Sequence, residues 1–277
     1  MESKLIILEP ASNLRTLGRA ALRGNWQKAI MVMLILMVLL DLVGTLLDSL
    51  FGTTYTFAPG FEIRTTYSAL YSVALIGALN VGLAVFLLRM FRFQDVKVNY
   101  IFAGFENFGK AFLLGFLITV FMTLWTLLFI IPGVIAYFRY SQAYYIMHDN
   151  PELSAMDCIR KSKEMMVGNK AKLFTTTLSF IGWEVLAMAP VIIYAIWYSV
   201  AQITDVILSG STAVPEIAPF GTLDYVIMFV LSLGVSAVRV YYNTTCTAFY
   251  ELLTGHLTGK VFVQNEYDNK SLTGINQ

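Results

Sequence analysis

Three charged side chains stand inside long apolar runs of this sequence: Asp41, Arg139 and Glu184. Two carboxylates and a guanidinium could form a buried ion pair or triad, line a hydrated path for protons or a small solute, or reach water singly. A lone charge deep in an apolar layer costs roughly 2.5–3.5 kcal/mol on insertion scales, which makes such residues the first functional candidates. Their heights can be counted at about 1.5 Å per helical residue. Asp41, thirteen residues past Lys28, lies about 20 Å in, and Glu184, twelve past Lys172, about 18 Å in. Arg139, seven past Pro132, lies about 10 Å below the opposite surface. In a layer about 30 Å thick that is again about 20 Å from the first. Arginine keeps its proton, and its planar fork matches a carboxylate, so Arg139 is expected to pair with Glu184 or Asp41. Asn80, Gln142 and Arg239 are the other polar residues in the runs, Arg239 near an edge from which it can snorkel.

Other chemistry is sparse. There is no HExxH, P-loop or GxSxG motif. The two cysteines, Cys158 and Cys246, and the two histidines, His148 and His256, form no metal or redox spacing. His148 and Asp149 are adjacent, and adjacent residues rarely face each other as a dyad. Cys158 reads as a partly buried thiol rather than an acylation site, and Trp183 as packing. Tyr137, Tyr140, Tyr144 and Tyr145 form one helical stripe, better explained as core or interface than as a substrate site.

The elements that hold these residues follow from composition. The chain is 57% hydrophobic and 13% charged, with mean hydropathy +0.66. Soluble domains carry about 25% charged residues, so the deficit points to a polytopic membrane protein. The net charge of +1 gives no field for nucleic acid. The N-terminus does not read as a secretory signal peptide. Six spans are expected, over 29–50, 67–90, 111–131, 133–148, 173–200 and 222–246, with Pro190 kinking the fifth. Lysine and arginine fall sixteen in the segments 1–28, 89–110, 149–172 and after 246, against one, Arg64, in the loops 51–66 and 201–221. That asymmetry places both termini in the cytoplasm.

A short signature recurs before three of the spans: Asn25/Lys28, Asn107/Lys110 and Asn169/Lys172. Amphipathic stretches precede each copy, over 12–24, about 95–104 and 151–167. Ser12 and Asn150 are expected N-caps, Gly24 and Gly168 C-terminal stops, and Asp157 and Lys161 an i,i+4 pair. Val98, Ile101, Phe102 and Phe105 form the apolar side of the middle copy. Such helices would lie in the headgroup plane, giving a threefold unit of interfacial helix, turn and hairpin, or else convergent interface chemistry. Arg15, Arg19, Arg23, Arg160, Lys161 and Lys163 would face the anionic leaflet as topology signals or as headgroup contacts.

Several stretches resemble a bacterial integral-membrane family catalogued as a domain of unknown function, family number 975. They are "LRGNWQKAI", "FAGFENFGKAFLLG", "LLFIIPGVIAYFRYSQAYYIMHDNPELSAMDCIRKSKEMMVGNKAKLF", "LSFIGWEVL" and "AFYELL". The resemblance covers most of Leu22 to Leu253 and implies a multi-span protein of the inner membrane with no assigned reaction. Related segments are attached to glycerophosphodiester phosphodiesterases, whose catalytic domain is not present here. The chain departs from the family in its long segment 201–221, with Pro215 and Pro219. The expected fold is all-α: one membrane domain over 1–277, six transmembrane helices, cytoplasmic interfacial helices and a cytoplasmic tail over 255–277. The expected role is non-enzymatic, without cofactor or metal: contact with membrane lipid or a membrane-protein partner, as an accessory or immunity-type protein. The alternative is a small transporter or channel using Asp41, Arg139 and Glu184.

Overall fold

A computed structural model describes residues 4–52, 54–58, 61–64, 66–208, 221–257 and 261–264. The expectations placed on 209–220 and on the tail beyond 264 lie outside these residues. In chain order the elements begin with β1 (Lys4–Ile7), α1 (Ala11–Leu22), α2 (Trp26–Met37), a π-helical turn (Val38–Leu42) and α3 (Val43–Phe51). The hairpin β2 (Thr54–Ala58) and β3 (Phe61–Arg64) leads to α4 (Tyr67–Phe93) and a 3-10 helix (Val98–Phe105). Then come α5 (Phe108–Leu128), α6 (Ile130–Tyr140), α7 (Ala143–Asp149) and α8 (Ala155–Met165). The chain continues through α9 (Lys170–Leu208), α10 (Thr222–Leu231), α11 (Leu233–Leu253) and β4 (Val261–Gln264).

Among the described residues, five segments are long and apolar enough to cross a membrane: Trp26–Phe51, Tyr67–Phe93, Phe108–Leu128, Lys170–Thr204 and Val226–Leu253. The fourth expected span is not one helix. Residues 133–148 are shared between α6 and α7, which part at Ser141–Gln142. Pro190 does not interrupt α9. The short strands were not expected. β1 pairs antiparallel with β4, Ile7 opposite Val261, across almost the whole sequence, and β2 pairs with β3 locally.

α4 is the centre. A helix apolar on every side must be covered on every side, and Gly77 to Leu88 of α4 are buried apart from Asn80. Its neighbours are the π-helical turn, α3, the 3-10 helix, α5, α7 and α11. The 3-10 helix lies against it so closely that a Cβ on Gly82 would stand 1.8 Å from the Ile101 carbonyl oxygen. The 3-10 helix therefore buries Ile101 and Gly104 and leaves Phe102 and Phe105 outside, unlike the four-residue apolar side expected of it. Large exposed apolar residues gather elsewhere, on the second half of α5, on α6 and along α9.

The amphipathic helices are present, and protein covers their apolar faces. α1 buries Leu14, Gly18, Ala21 and Leu22, packing chiefly on α11. α8 buries Ala155, Cys158, Ile159 and Ser162 against α5, α6 and α7. The cap of α8 is Ser154, not Asn150: its hydroxyl oxygen accepts from the Asp157 amide at 3.2 Å. α1 is preceded by Pro10, with no side-chain cap, rather than by Ser12. Gly24 and Gly168 take φ of 81° and 83°, the left-handed turn that favours glycine after a helix. The middle copy has no such turn. Asn25 and Asn107 precede α2 and α5 as N-caps without side-chain bonds. Asn169 does more. Fully buried, it accepts from the Ile7 amide at 2.9 Å and donates to the Leu5 and Met165 carbonyls at 2.8 and 3.0 Å, fixing β1 to the end of α8.

Gly82→Ala is expected to cost about 3 kcal/mol, because the methyl meets backbone that cannot rotate away. Gly109→Ala, with nothing within 4 Å of the new Cβ, should be neutral or stabilising by up to about 1 kcal/mol. Thermal unfolding of both variants in detergent checks the pair.

Candidate functional site

The structure does not join the midplane charges. No ion pair or side-chain hydrogen bond links Asp41, Arg139 and Glu184 to one another among the described residues. Asp41 sits in the π-helical turn on an exposed face, while Arg139 and Glu184 are half-buried. Counting along a helix gives height but not facing direction. α3 packs chiefly on α4, away from α6 and α9.

What stands at that height instead is a broken helix. Two residues, Ser141 and Gln142, separate α6 from α7, and the backbone groups released there meet one side chain. The Ser162 hydroxyl, fully buried on α8, donates to the Arg139 carbonyl at 2.8 Å and accepts from the Gln142 amide at 3.2 Å. α8 runs back along α7, so this hydroxyl substitutes for part of the missing helical ladder.

A cavity of about 150 Å³ opens beside the break, between α4, α6, α7, α9 and α11. Three amides line it: Asn80, Gln142 and Asn243. Tyr137, Tyr144, Tyr145 and Tyr242 line it too. Tyr140, expected on the same stripe, faces the other way, onto an open groove of about 450 Å³ between α5 and α8. Phe121, Leu124, Trp125 and Leu128 form one wall of the groove, and Met156, Ile159, Arg160 and Lys163 the other.

The six basic candidates divide. Arg15 donates to the Ser179 carbonyl at 3.4 Å, and Arg19 to the Tyr241 hydroxyl at 3.2 Å while lying over its ring. Lys161 donates to Asn150 at 3.1 Å rather than pairing with Asp157. Asp157 pairs with Arg160 at 3.0 Å, and bonding to Ser154 holds its carboxyl below the usual value. Arg23 and Lys163 have no ionic partner among the described residues.

A second centre lies where α4, α7 and α11 end. Arg92 forks onto Asp149 at 2.7 and 2.8 Å and reaches Glu251 at 2.7 Å. Tyr250 donates to Asp149 at 2.8 Å and stacks on Tyr145, with centroids 5.0 Å apart. His256 Nδ1 stands 3.5 Å from Glu251. Asp149 thus pairs with Arg92, and no bond joins it to His148. Burial works to raise the Asp149 carboxyl, but the bonds from Arg92 and Tyr250 outweigh it and hold the group below its usual 3.8. Sequence reasoning missed Arg92, Glu251 and Ser162. Arg92 and Glu251 are 159 residues apart and lie at helix ends, where charge reads as ordinary solvation. Cys158 is fully buried, and burial pushes its thiol up, away from reactivity.

A family model described as "Protein of unknown function (DUF975)" matches the chain twice, over residues 8–137 and 127–256. The chain belongs to this family. Each DUF975 match contains one of the two left-handed Gly–Asn turns, so the repeat is twofold where a threefold unit was expected. No curated protein and no solved structure matches. The family description names no reaction; the structural features available for chemistry are the broken helix and its two flanking spaces.

Arg92→Leu should cost about 3 kcal/mol at neutral pH, because two carboxylates lose their cation. In the native protein Asp149 has a depressed folded pKa. Its contribution is present above the unfolded value and lost as pH falls through the folded one. In the variant the bonds and charge of Arg92 are gone and burial is opposed chiefly by the bond from Tyr250, so that pKa lies higher. The gap in unfolding midpoint between the two proteins should therefore narrow as pH is lowered from 7 to about 4. A gap that widens on acidification would remove Asp149 from this account.

Proposed function

We propose that this protein is a non-enzymatic component of a bacterial cytoplasmic membrane, with both termini in the cytoplasm, that holds an anionic amphiphile at its groove between α5 and α8. One observation carries this: an apolar wall of Phe121, Leu124, Trp125 and Leu128 faces Arg160 and Lys163 across that groove. Acyl chain and acidic headgroup need those two surfaces side by side. Asp157 offsets part of the Arg160 charge, so Lys163 is the main headgroup contact. The anionic lipid of the cytoplasmic leaflet is the natural occupant, and a membrane-protein partner presenting the same lipid would dock beside it. The transport reading based on Asp41, Arg139 and Glu184 has no pairing to support it. A solute-handling role draws support instead from the broken helix, since discontinuous helices line solute sites in membranes.

The lipid reading is tested on protein extracted with its native lipid in polymer discs. Each basic side chain contributes about 1 kcal/mol to anionic lipid. Arg160→Gln with Lys163→Gln should lower retained anionic phospholipid about 30-fold relative to zwitterionic lipid. Unchanged retention, measured by mass spectrometry, would refute it.

Topology is tested by cysteine labelling in intact cells. The lysine and arginine asymmetry places Thr66 outside, so Thr66→Cys should react with an impermeant maleimide. The tip of the α5–α6 hairpin carries Leu127, Leu128, Phe129, Ile130 and Ile131, each more than 60% exposed. Two amides at this turn are bonded within it, Phe129 to Trp125 and Gly133 to Phe129. Such a tip belongs in the apolar layer, making α5 and α6 a hairpin that enters and returns on one side. Ile130→Cys should then be unreactive from either side until detergent is added. Reaction from outside would restore two full crossings.

A further inference from the structure

We infer that the cavity at the α6–α7 break is a binding site for a small uncharged solute bearing N–H or O–H donors. It stands apart from the lipid groove, and either can fail without the other.

The three amides set its polarity. Asn80 Nδ2 donates to the Ile76 carbonyl at 2.7 Å, and Asn243 Nδ2 to the Arg239 carbonyl at 2.9 Å. Carbonyls only accept, so these bonds fix both amides with their oxygens uncommitted. For Gln142 the chain is one step longer. The Ser141 hydroxyl gives its only proton to the Phe138 carbonyl at 2.9 Å. It can only accept from Gln142, which therefore donates Nε2 to it at 2.8 Å. Gln142 Oε1 is left buried without a partner, on a residue only 1% exposed. A buried acceptor with no donor costs about 1–3 kcal/mol.

The Asn80 and Asn243 oxygens, on residues that line the cavity, have no donor among the described residues, so the occupant must donate. It must also be small: about 150 Å³ corresponds to the liquid volume of about five waters. It must be uncharged, because no carboxylate or basic side chain lines the cavity. An unpaired ion there would lose its hydration without a counter-charge. The Tyr144 hydroxyl has no partner among the described residues and can donate or accept in answer. Urea and glycerol have this size and chemistry and serve as probes.

The test uses full-length protein in nanodiscs and saturation-transfer NMR with urea, glycerol and methylammonium, each titrated separately. Saturable transfer to urea or glycerol, and none to methylammonium, is expected. Asn80→Leu should weaken that binding at least tenfold, because it removes an acceptor from the cavity wall. Ala84→Met fills the space from the α4 side without touching a polar group and should abolish binding. If Asn80→Leu does not fold, Ala84→Met decides the matter. Binding of methylammonium alone would make this a cation site and overturn the proposal. No saturable signal from any probe, or signals unchanged in both variants, would leave water as the occupant and overturn it equally.

Discussion

Between Tyr140 and Ala143 the helical ladder stops, and the peptide groups released there are held inside the protein. Buried backbone donors and acceptors must find partners, and here one hydroxyl meets one of each. Ser162 can do so because it sits on α8 within reach of both Arg139 and Gln142. That requirement fixes α8 in rotation and in height. The same face of α8 then buries Ala155, Cys158 and Ile159 against α5 and α7. Turning α8 to satisfy the break also turns Met156, Arg160 and Lys163 toward the second half of α5. The groove is thus a consequence of where Ser162 has to be. The cavity lies across the break, where Tyr137, Ser141 and Gln142 look toward α4 and α11.

The Arg92 centre closes the end of this arrangement. α4, α7 and α11 finish together, and their last turns bring one guanidinium to two carboxylates. Helix C-termini carry partial negative charge, so a cation among three of them is favoured beyond its two ion pairs. Tyr250 links this centre to the interior: its hydroxyl binds Asp149 and its ring lies on Tyr145, which lines the cavity. α7 therefore has one end at the break and the other at the clamp, only seven residues apart. A helix that short gains little from its own hydrogen bonds. Its position is set by what holds its ends.

Much of this was legible in the residues, and for identifiable reasons. Gly24 and Gly168 announced their turns because few other residues take φ near 80°. The amphipathic period of α1 and α8 was readable, although the covering surface was not: period 3.6 reveals an apolar face without saying whether lipid or protein meets it. The charges at Asp41, Arg139 and Glu184 were placed by height alone, and pairing needs facing direction as well. The break at Ser141–Gln142 had no signal, since neither residue is a helix breaker of the rank of glycine or proline. Its stabilising partner, Ser162, lies about twenty residues on, outside any local pattern. β1 with β4, and Arg92 with Glu251, are long-range pairings that no local pattern encodes.

A motif search passes over both spaces for the same physical reason. Catalytic motifs are runs in which neighbouring residues share a task, and here neighbours divide it. Tyr140 lines the groove, while Ser141 and Gln142 line the cavity. On α8, Ser162 serves the break while Lys163 turns to the groove. Along an intact helix, residues one apart point about 100° away from each other, so two sites on opposite sides of one segment must interleave in sequence. Each looks like scattered polar residues in an apolar run until the helices are set in place.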